Sequence, residues 1–214
     1  MSSSGTTPVR VRAAGAGDAA RLNGIERRES LLDSAAEIAA VRGVEAVTMD
    51  SVADEARVSR ALVYKHFANR SELLTAVYRR EAGLLHEEMA AEVRSADSLE
   101  GMFRALIRAS MRVSVERGAL FAALRAAGAW NRELRAEQRG RDRATVKAFA
   151  TRAAKEYSLP IRDAQRAIAM LLGAIDSIML QWRTRRTAEN AAALEETYLG
   201  LVTGGLERLS REAR

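Results

Sequence analysis

The segment Val58–Phe67, "VSRALVYKHF", gathers Ser59, Arg60, Tyr64, Lys65 and His66 within ten residues. Wound as a helix, Val58, Val63 and Phe67 fall towards one side. Arg60 and Tyr64, four apart, fall on another, with Lys65 beside them. One side asks for a core, and the other offers hydrogen-bond donors that need no burial.

Just upstream, "RESLLDSAAEIAAVRG" places Leu31 or Leu32, Ala35, Ile38 and Ala39 at helical spacing, and Gly43 is a natural stop. Thr48 then occupies an N-cap position ahead of "MDSVADEA", and Arg57-Val58 forms a tight turn. Ser59 caps the helix through His66. Two short capped helices joined by a short turn are the pattern of a helix-turn-helix. In that pattern the first turn of the second helix meets base edges in the major groove. Arg60 has the fork for guanine O6 and N7, Ala61 permits close approach, and Leu62 suits a thymine methyl. Tyr64, Lys65 and His66 are placed for phosphates, as are Thr48 and the free N–H groups of its helix. A face carrying Arg, Tyr and Lys is commonly only a solvated face. The order of elements, closed by an aromatic anchor, is what separates this one.

Downstream, Ser71 is placed to cap a long helix, "ELLTAVYRREAGLLHEEMAAEV". Periodicity predicts further helices near 98–117, 119–128, 132–157, 161–185 and 190–212. The breaks are Gly118, the Gly128-Ala129-Trp130 region, Leu159-Pro160 and "RRTAEN". Residues 1–24, rich in Ser, Gly, Ala and Thr, are expected to be a disordered tail. Its arginines Arg10, Arg12 and Arg21 leave two readings open, a floppy terminus or an arm reaching the minor groove.

Composition agrees with an all-α chain: two prolines, 5% aromatics, 48% hydrophobic residues and abundant Ala, Leu, Arg and Glu over 214 residues. The absence of cysteine excludes disulfides and thiol chemistry. With only His66 and His86, no carboxylate–histidine metal spacing and no phosphate-cradling glycine loop, no catalytic residue, metal site or cofactor is expected. No run of 18 apolar residues and no secretory core is present, so a cytoplasmic protein without a membrane partner is expected. The net charge is +6, yet residues 1–80 hold twelve Lys plus Arg against ten Asp plus Glu, while residues 101–156 hold thirteen against five. Overall charge therefore says little about where a polyanion would bind.

Residues 27–81, about a quarter of the chain, resemble the DNA-binding domain of the tetracycline-repressor (TetR-type) family. "LLDSAAEIAAVRG" approaches the family's "ILxAAxxLFxxxG", "TMDSVA" and "VSRALVYKHF" follow in order, and "ANRSELL" is similar to the family's next turn and helix start. The resemblance implies phosphate contacts for Thr48, Tyr64, His66 and Arg70, base reading by Arg60, Ala61 and Leu62, and a structural Phe67. Arg57 stands where the family commonly has Gly, a place for an altered turn or an extra phosphate contact. Ala61-Leu62 stands where it often has Gly-Thr, which changes the sequence read.

The resemblance further implies a homodimer on a double-stranded DNA operator, responsive to a small-molecule effector of unknown identity. The expected organisation is the tail (1–24), a three-helix helix-turn-helix DNA-binding domain (25–70) and a larger helical ligand-binding and dimerisation domain (71–214). Leu171, Ile175, Ile178, Met179, Tyr198, Leu201, Val202 and Leu206 are expected at the dimer interface, where an intramolecular core is the competing reading. Phe103, Leu106, Ile107, Met111, Phe121, Leu124, Trp130, Phe149 and Met170 are expected to line a ligand pocket, again with core as the alternative. The row Arg104, Arg108, Arg112 is either a solvated face or a set of anion contacts. The alternative function is a helical protein-interaction module whose helix-turn-helix is structural.

Overall fold

The structure, a computed structural model, describes residues 16–213, with side chains from Gly24 onward. Those residues are helical throughout, without strands: α1 (Ala16–Arg42), a 3-10 turn (Val44–Ala46), α2 (Met49–Glu55), α3 (Arg60–His66), α4 (Arg70–Arg94), α5 (Leu99–Glu116), α6 (Gly118–Ala126), α7 (Arg132–Tyr157), α8 (Ile161–Thr184) and α9 (Ala188–Glu212). None of these helices is long and apolar enough to cross a membrane. The described residues divide into two compact units, the first ending at Leu73 and the second beginning at Leu74, within α4. Residues 1–15 of the expected tail lie outside the described residues. From Ala16 the chain is already helical, because Ala19, Ala20, Arg21 and Leu22 are strong helix formers.

In the first unit, Leu31, Leu32, Ala35, Ile38 and Ala39 of α1 are buried at the spacing that the sequence showed. Gly43, at φ +85°, ends the helix in the left-handed region. The 3-10 turn that follows, which periodicity did not reveal, buries Val44 and closes with Val47 N donating to Val44 O at 3.1 Å. Thr48 and Ser51 cap α2 reciprocally. Ser51 N donates to Thr48 Oγ1 at 3.0 Å, and Thr48 N donates to Ser51 Oγ at 2.9 Å.

The turn into α3 has the Schellman hydrogen bonds, with Val58 N donating to Ala53 O at 2.9 Å and Arg57 N to Asp54 O at 3.1 Å. Its left-handed residue is Arg57, at φ +55°. Val63 and Phe67 are 0% and 1% exposed, and the Arg28 guanidinium lies 4.8 Å from the Phe67 ring centroid. The cap of α4 is Asn69 rather than Ser71: Glu72 N donates to Asn69 Oδ1 at 2.9 Å, since the helix already starts at Arg70.

The second unit packs α5, α7, α8 and α9 around a core centred on Phe103, Phe149 and Tyr198, whose rings meet edge to face at 4.9 and 5.7 Å. Ser98, Asn131 and Thr187 cap α5, α7 and α9. Burial pushes the Tyr198 phenol well up, and its hydroxyl donates to Leu171 O at 2.5 Å. Glu195 is the buried carboxylate of this unit. It accepts from Arg104 at 2.6 Å and Arg108 at 2.7 Å, tying α9 to α5. Burial pushes its carboxyl up, but Arg108 and Arg104 outweigh that and hold it below the usual carboxylate value.

Candidate nucleic-acid interface and ligand cavity

α3 carries its polar and small residues outward. Arg60, Ala61, Tyr64 and Lys65 are exposed, Leu62 and His66 are half-buried, and Val63 and Phe67 face the core. That division follows from the 3.6-residue period of the helix, and Ser59 fixes where the helix begins by accepting from Leu62 N at 3.3 Å. Its hydroxyl, like that of Thr48, is engaged by its own chain. Arg60 is held at three points. Its Nε lies 2.9 Å from Asp50 Oδ1 on α2, Nη2 donates to Tyr64 Oη at 3.3 Å, and the guanidinium stands 5.4 Å from the Tyr64 ring centroid. The Tyr64 hydrogen bond, then the Asp50 charge, raise its already high pKa. Burial and the charges of Lys65, Arg28 and Arg27 push the His66 imidazole below its usual value.

Arg70, expected at a phosphate, is turned onto its own chain. Nε donates to Val47 O at 2.7 Å and Nη2 to Val44 O at 2.9 Å, with Glu45 3.3 Å away. Those carbonyls follow from the 3-10 turn, which sequence reading had missed, and they make Arg70 a staple of the first unit. Asp50 is the residue that sequence reading overlooked. Its pairing with Arg60 crosses the inter-helix turn, and no periodicity signals it.

The second unit contains a cavity of about 840 Å³, walled by α4, α5, α6, α7 and α8. Its apolar lining includes Tyr78, Met89, Leu106, Phe121, Val146 and Leu172. His86, Gln138, Asp142, Asp176 and Arg183 are among its polar groups. Of the residues expected there, Leu106 and Phe121 line it. Phe103, Ile107, Met111, Leu124 and Phe149 are consumed by the buried core, and Trp130 packs against Tyr78 at 5.3 Å. Met170 is 71% exposed, on the outer side of α8.

The Arg104, Arg108, Arg112 row is paired with carboxylates. Arg104 meets Glu100, Glu195 and Glu196, Arg108 meets Glu195, and Arg112 meets Glu92. None of the three lines the cavity. Of the expected interface residues, Ile175, Ile178, Met179, Tyr198, Val202 and Leu206 are buried in the unit's own core and Leu171 packs partly against it. Only Leu201 is fully exposed, at 66%. The broad apolar face of α8 and α9 is taken up by α5 and α7, which leaves a different stripe free.

Fold and site together define a helix-turn-helix head and an all-helical unit that contains a cavity. Residues 31–77 match the family model of "Bacterial regulatory proteins, tetR family". By this N-terminal segment the chain is similar to members of that family of bacterial regulatory proteins.

The HTH-type transcriptional regulator BetI of Rhizobium meliloti is 36% identical over 86 residues, 40% of this chain and 42% of that protein. The HTH-type transcriptional activator FasR of Mycolicibacterium smegmatis is 36% identical over 89 residues, 42% of this chain and 41% of that protein. The chain thus spans about two-fifths of the length of these curated relatives.

In fold, it is similar to a transcriptional regulator from Pseudomonas aeruginosa PAO1 (TM-score 0.66, 17% identity, 91% of this chain and 97% of that one). It is also similar to a Saccharomonospora viridis regulator in complex with choline (TM-score 0.60, 18% identity, 84% and 96%). FadR from Bacillus subtilis in complex with stearoyl-CoA is a third such structure (TM-score 0.54, 20% identity, 83% and 98%).

Proposed function

We propose that the protein is a ligand-responsive repressor of the cytoplasm that binds a pseudo-two-fold operator as a homodimer and is released when a small molecule fills its cavity. The observation that carries the DNA-binding part is the division of α3 into a buried Val63–Phe67 side and an exposed Arg60–Ala61–Tyr64–Lys65 side. In this reading Arg60 and Ala61, with Leu62 at the margin, meet base edges. Thr48, Ser59, Tyr64, Lys65, His66 and Arg57 border the phosphates, while Arg70 supports them from within.

The dimer is supported by a surface that the single chain leaves idle. Met170, Ser177 and Leu180 on α8, and Ala193, Thr197, Gly200, Leu201 and Gly204 on α9, are exposed at helical spacing. A Cβ added at Gly200, Gly204 or Gly205 would meet nothing within 4 Å. Each interior glycine costs a helix about 1 kcal/mol relative to alanine, and nothing inside this chain requires that cost. A helix of a second copy packed closely on α9 supplies the reason, and two-fold symmetry would set two heads roughly 34 Å apart.

The cavity has the size and the mixed lining of a small-molecule site. Relatives of the same fold carry ligands as different as choline and stearoyl-CoA, so a site of this kind accommodates divergent chemistry. Release requires that the ligand bind more tightly to the conformation whose heads no longer fit the half-sites.

The test is footprinting of the purified protein on genomic fragments flanking its own gene, with Arg60→Ala in parallel. A symmetric protected site of about two helical turns is expected, with its sequence preference relaxed in the variant and its affinity falling steeply with salt. Absence of specific protection on any genomic fragment, with apolar partner binding insensitive to salt, would instead mark a protein-interaction module.

A further inference from the structure

We propose that Asp50 is a specificity-determining residue of the head: by holding the Nε edge of Arg60 at 2.9 Å, it leaves only the Nη1–Nη2 end of the guanidinium to read a base. This rests on the reading of α3 as the recognition helix.

A free arginine on a groove-facing helix has a long, rotatable stem and five N–H donors. It satisfies them most easily on the nearest phosphates, which carry no sequence information. Arg60 has lost that freedom in three directions. Asp50 occupies Nε, the Tyr64 hydroxyl takes one hydrogen of Nη2, and the Tyr64 ring at 5.4 Å limits rotation of the guanidinium plane. What remains is Nη1 and the second hydrogen of Nη2, a parallel pair of donors. Such a pair matches the two acceptors that guanine presents in the major groove, and no other base presents two there.

Asp50 is free for this task because α2 is capped by Thr48 and Ser51. It sits on a different helix from Arg60, so the contact also fixes the side chain relative to the turn rather than to its own helix alone. Electrostatically the carboxylate opposes duplex DNA of any sequence, since phosphates repel it. Removing it should therefore tighten indiscriminate binding and loosen guanine selection at once. A residue that merely supported the fold would weaken all sequences alike.

The experiment is in-vitro selection from a randomised duplex library, run with the full-length wild-type chain, Asp50→Asn, Asp50→Glu and Arg60→Ala. Each protein is also titrated against a non-selected duplex, and its melting temperature is recorded. The wild type is expected to enrich guanine at one position of each half-site, and Arg60→Ala to lose that preference. Asp50→Asn, melting close to wild type, should relax it about tenfold while binding the non-selected duplex more tightly. Asp50→Glu, which retains the carboxylate, should keep guanine preferred.

Undiminished guanine preference in Asp50→Asn overturns the inference and leaves operator binding intact. So does an equal loss in Asp50→Asn and Asp50→Glu, because the charge would then be irrelevant. A wild-type chain that enriches no motif overturns the operator reading itself, and this inference with it.

Discussion

At the scale of single residues, two arginines with the same sequence-level promise occupy opposite roles. Arg60 is exposed and held only by side chains, Asp50 at Nε and Tyr64 at Nη2, whereas Arg70 spends Nε and Nη2 on the carbonyls of Val47 and Val44. A guanidinium that satisfies two main-chain acceptors holds the 3-10 turn against the start of α4. Truncating it leaves Val47 O without its partner and removes the second donor to Val44 O, which keeps Val47 N, at a cost of about 1–3 kcal/mol in all. Arg70→Ala is accordingly expected to lower the stability of the first unit by about 2 kcal/mol, read as an earlier midpoint in urea. Arg70→Lys recovers little, because an ammonium lacks the planar fork that reaches two carbonyls. If Arg70 were instead a phosphate ligand, the urea midpoint would stay in place and the salt slope of DNA binding would drop by about one.

At the scale of elements, the turn between α2 and α3 is built for a residue without a side chain, yet holds Arg57 at φ +55°. An L-residue in the left-handed region costs about 1–2 kcal/mol, only partly offset by the lower chain entropy of a non-glycine residue in the unfolded state. Arg57→Gly should therefore raise the thermal midpoint, by about 1 kcal/mol of stability, with the Schellman hydrogen bonds unchanged. A lower midpoint would show that the Arg57 side chain contributes more than its backbone costs.

Element boundaries were legible in the sequence wherever a polar cap writes them out, as at Thr48 and Ser59. The 3-10 turn escaped because "VEAV" carries no cap and no period, and its partner Arg70 lies 23 residues beyond Val47. The broad apolar face of α8 was legible, but periodicity states only that a face wants burial and not by what. That is why Ile175, Ile178 and Met179 turned out to face the unit's own core while Met170 and Leu180 stand exposed. The cavity was harder still. Its walls come from helices distant in sequence, and Tyr78 and Met89 belong to α4, which pattern alone presents as a connector.

For the whole molecule, the unused glycine-lined stripe of α9 sets a direct expectation. Leu201, at 66% exposure, touches little within its own chain, so Leu201→Glu should leave the helical content and the core unchanged. Placed at a two-fold axis, the same change sets like charges against each other in a dry contact, costing several kcal/mol. The variant is expected to sediment as a monomer at concentrations where the wild type is a dimer, and to bind a two-half-site operator far more weakly. A variant that remains dimeric would move the interface elsewhere.

Three arginines of the head are also matched to carboxylates of the head itself, in the pairs Arg42–Glu55, Arg60–Asp50 and Arg70–Glu45. A regulator of the proposed kind would then have little surplus charge with which to grip arbitrary chromosomal DNA. It would slide poorly and travel mostly through bulk solution. Because the genome would sequester few molecules, a small cellular copy number would suffice to keep a target site occupied.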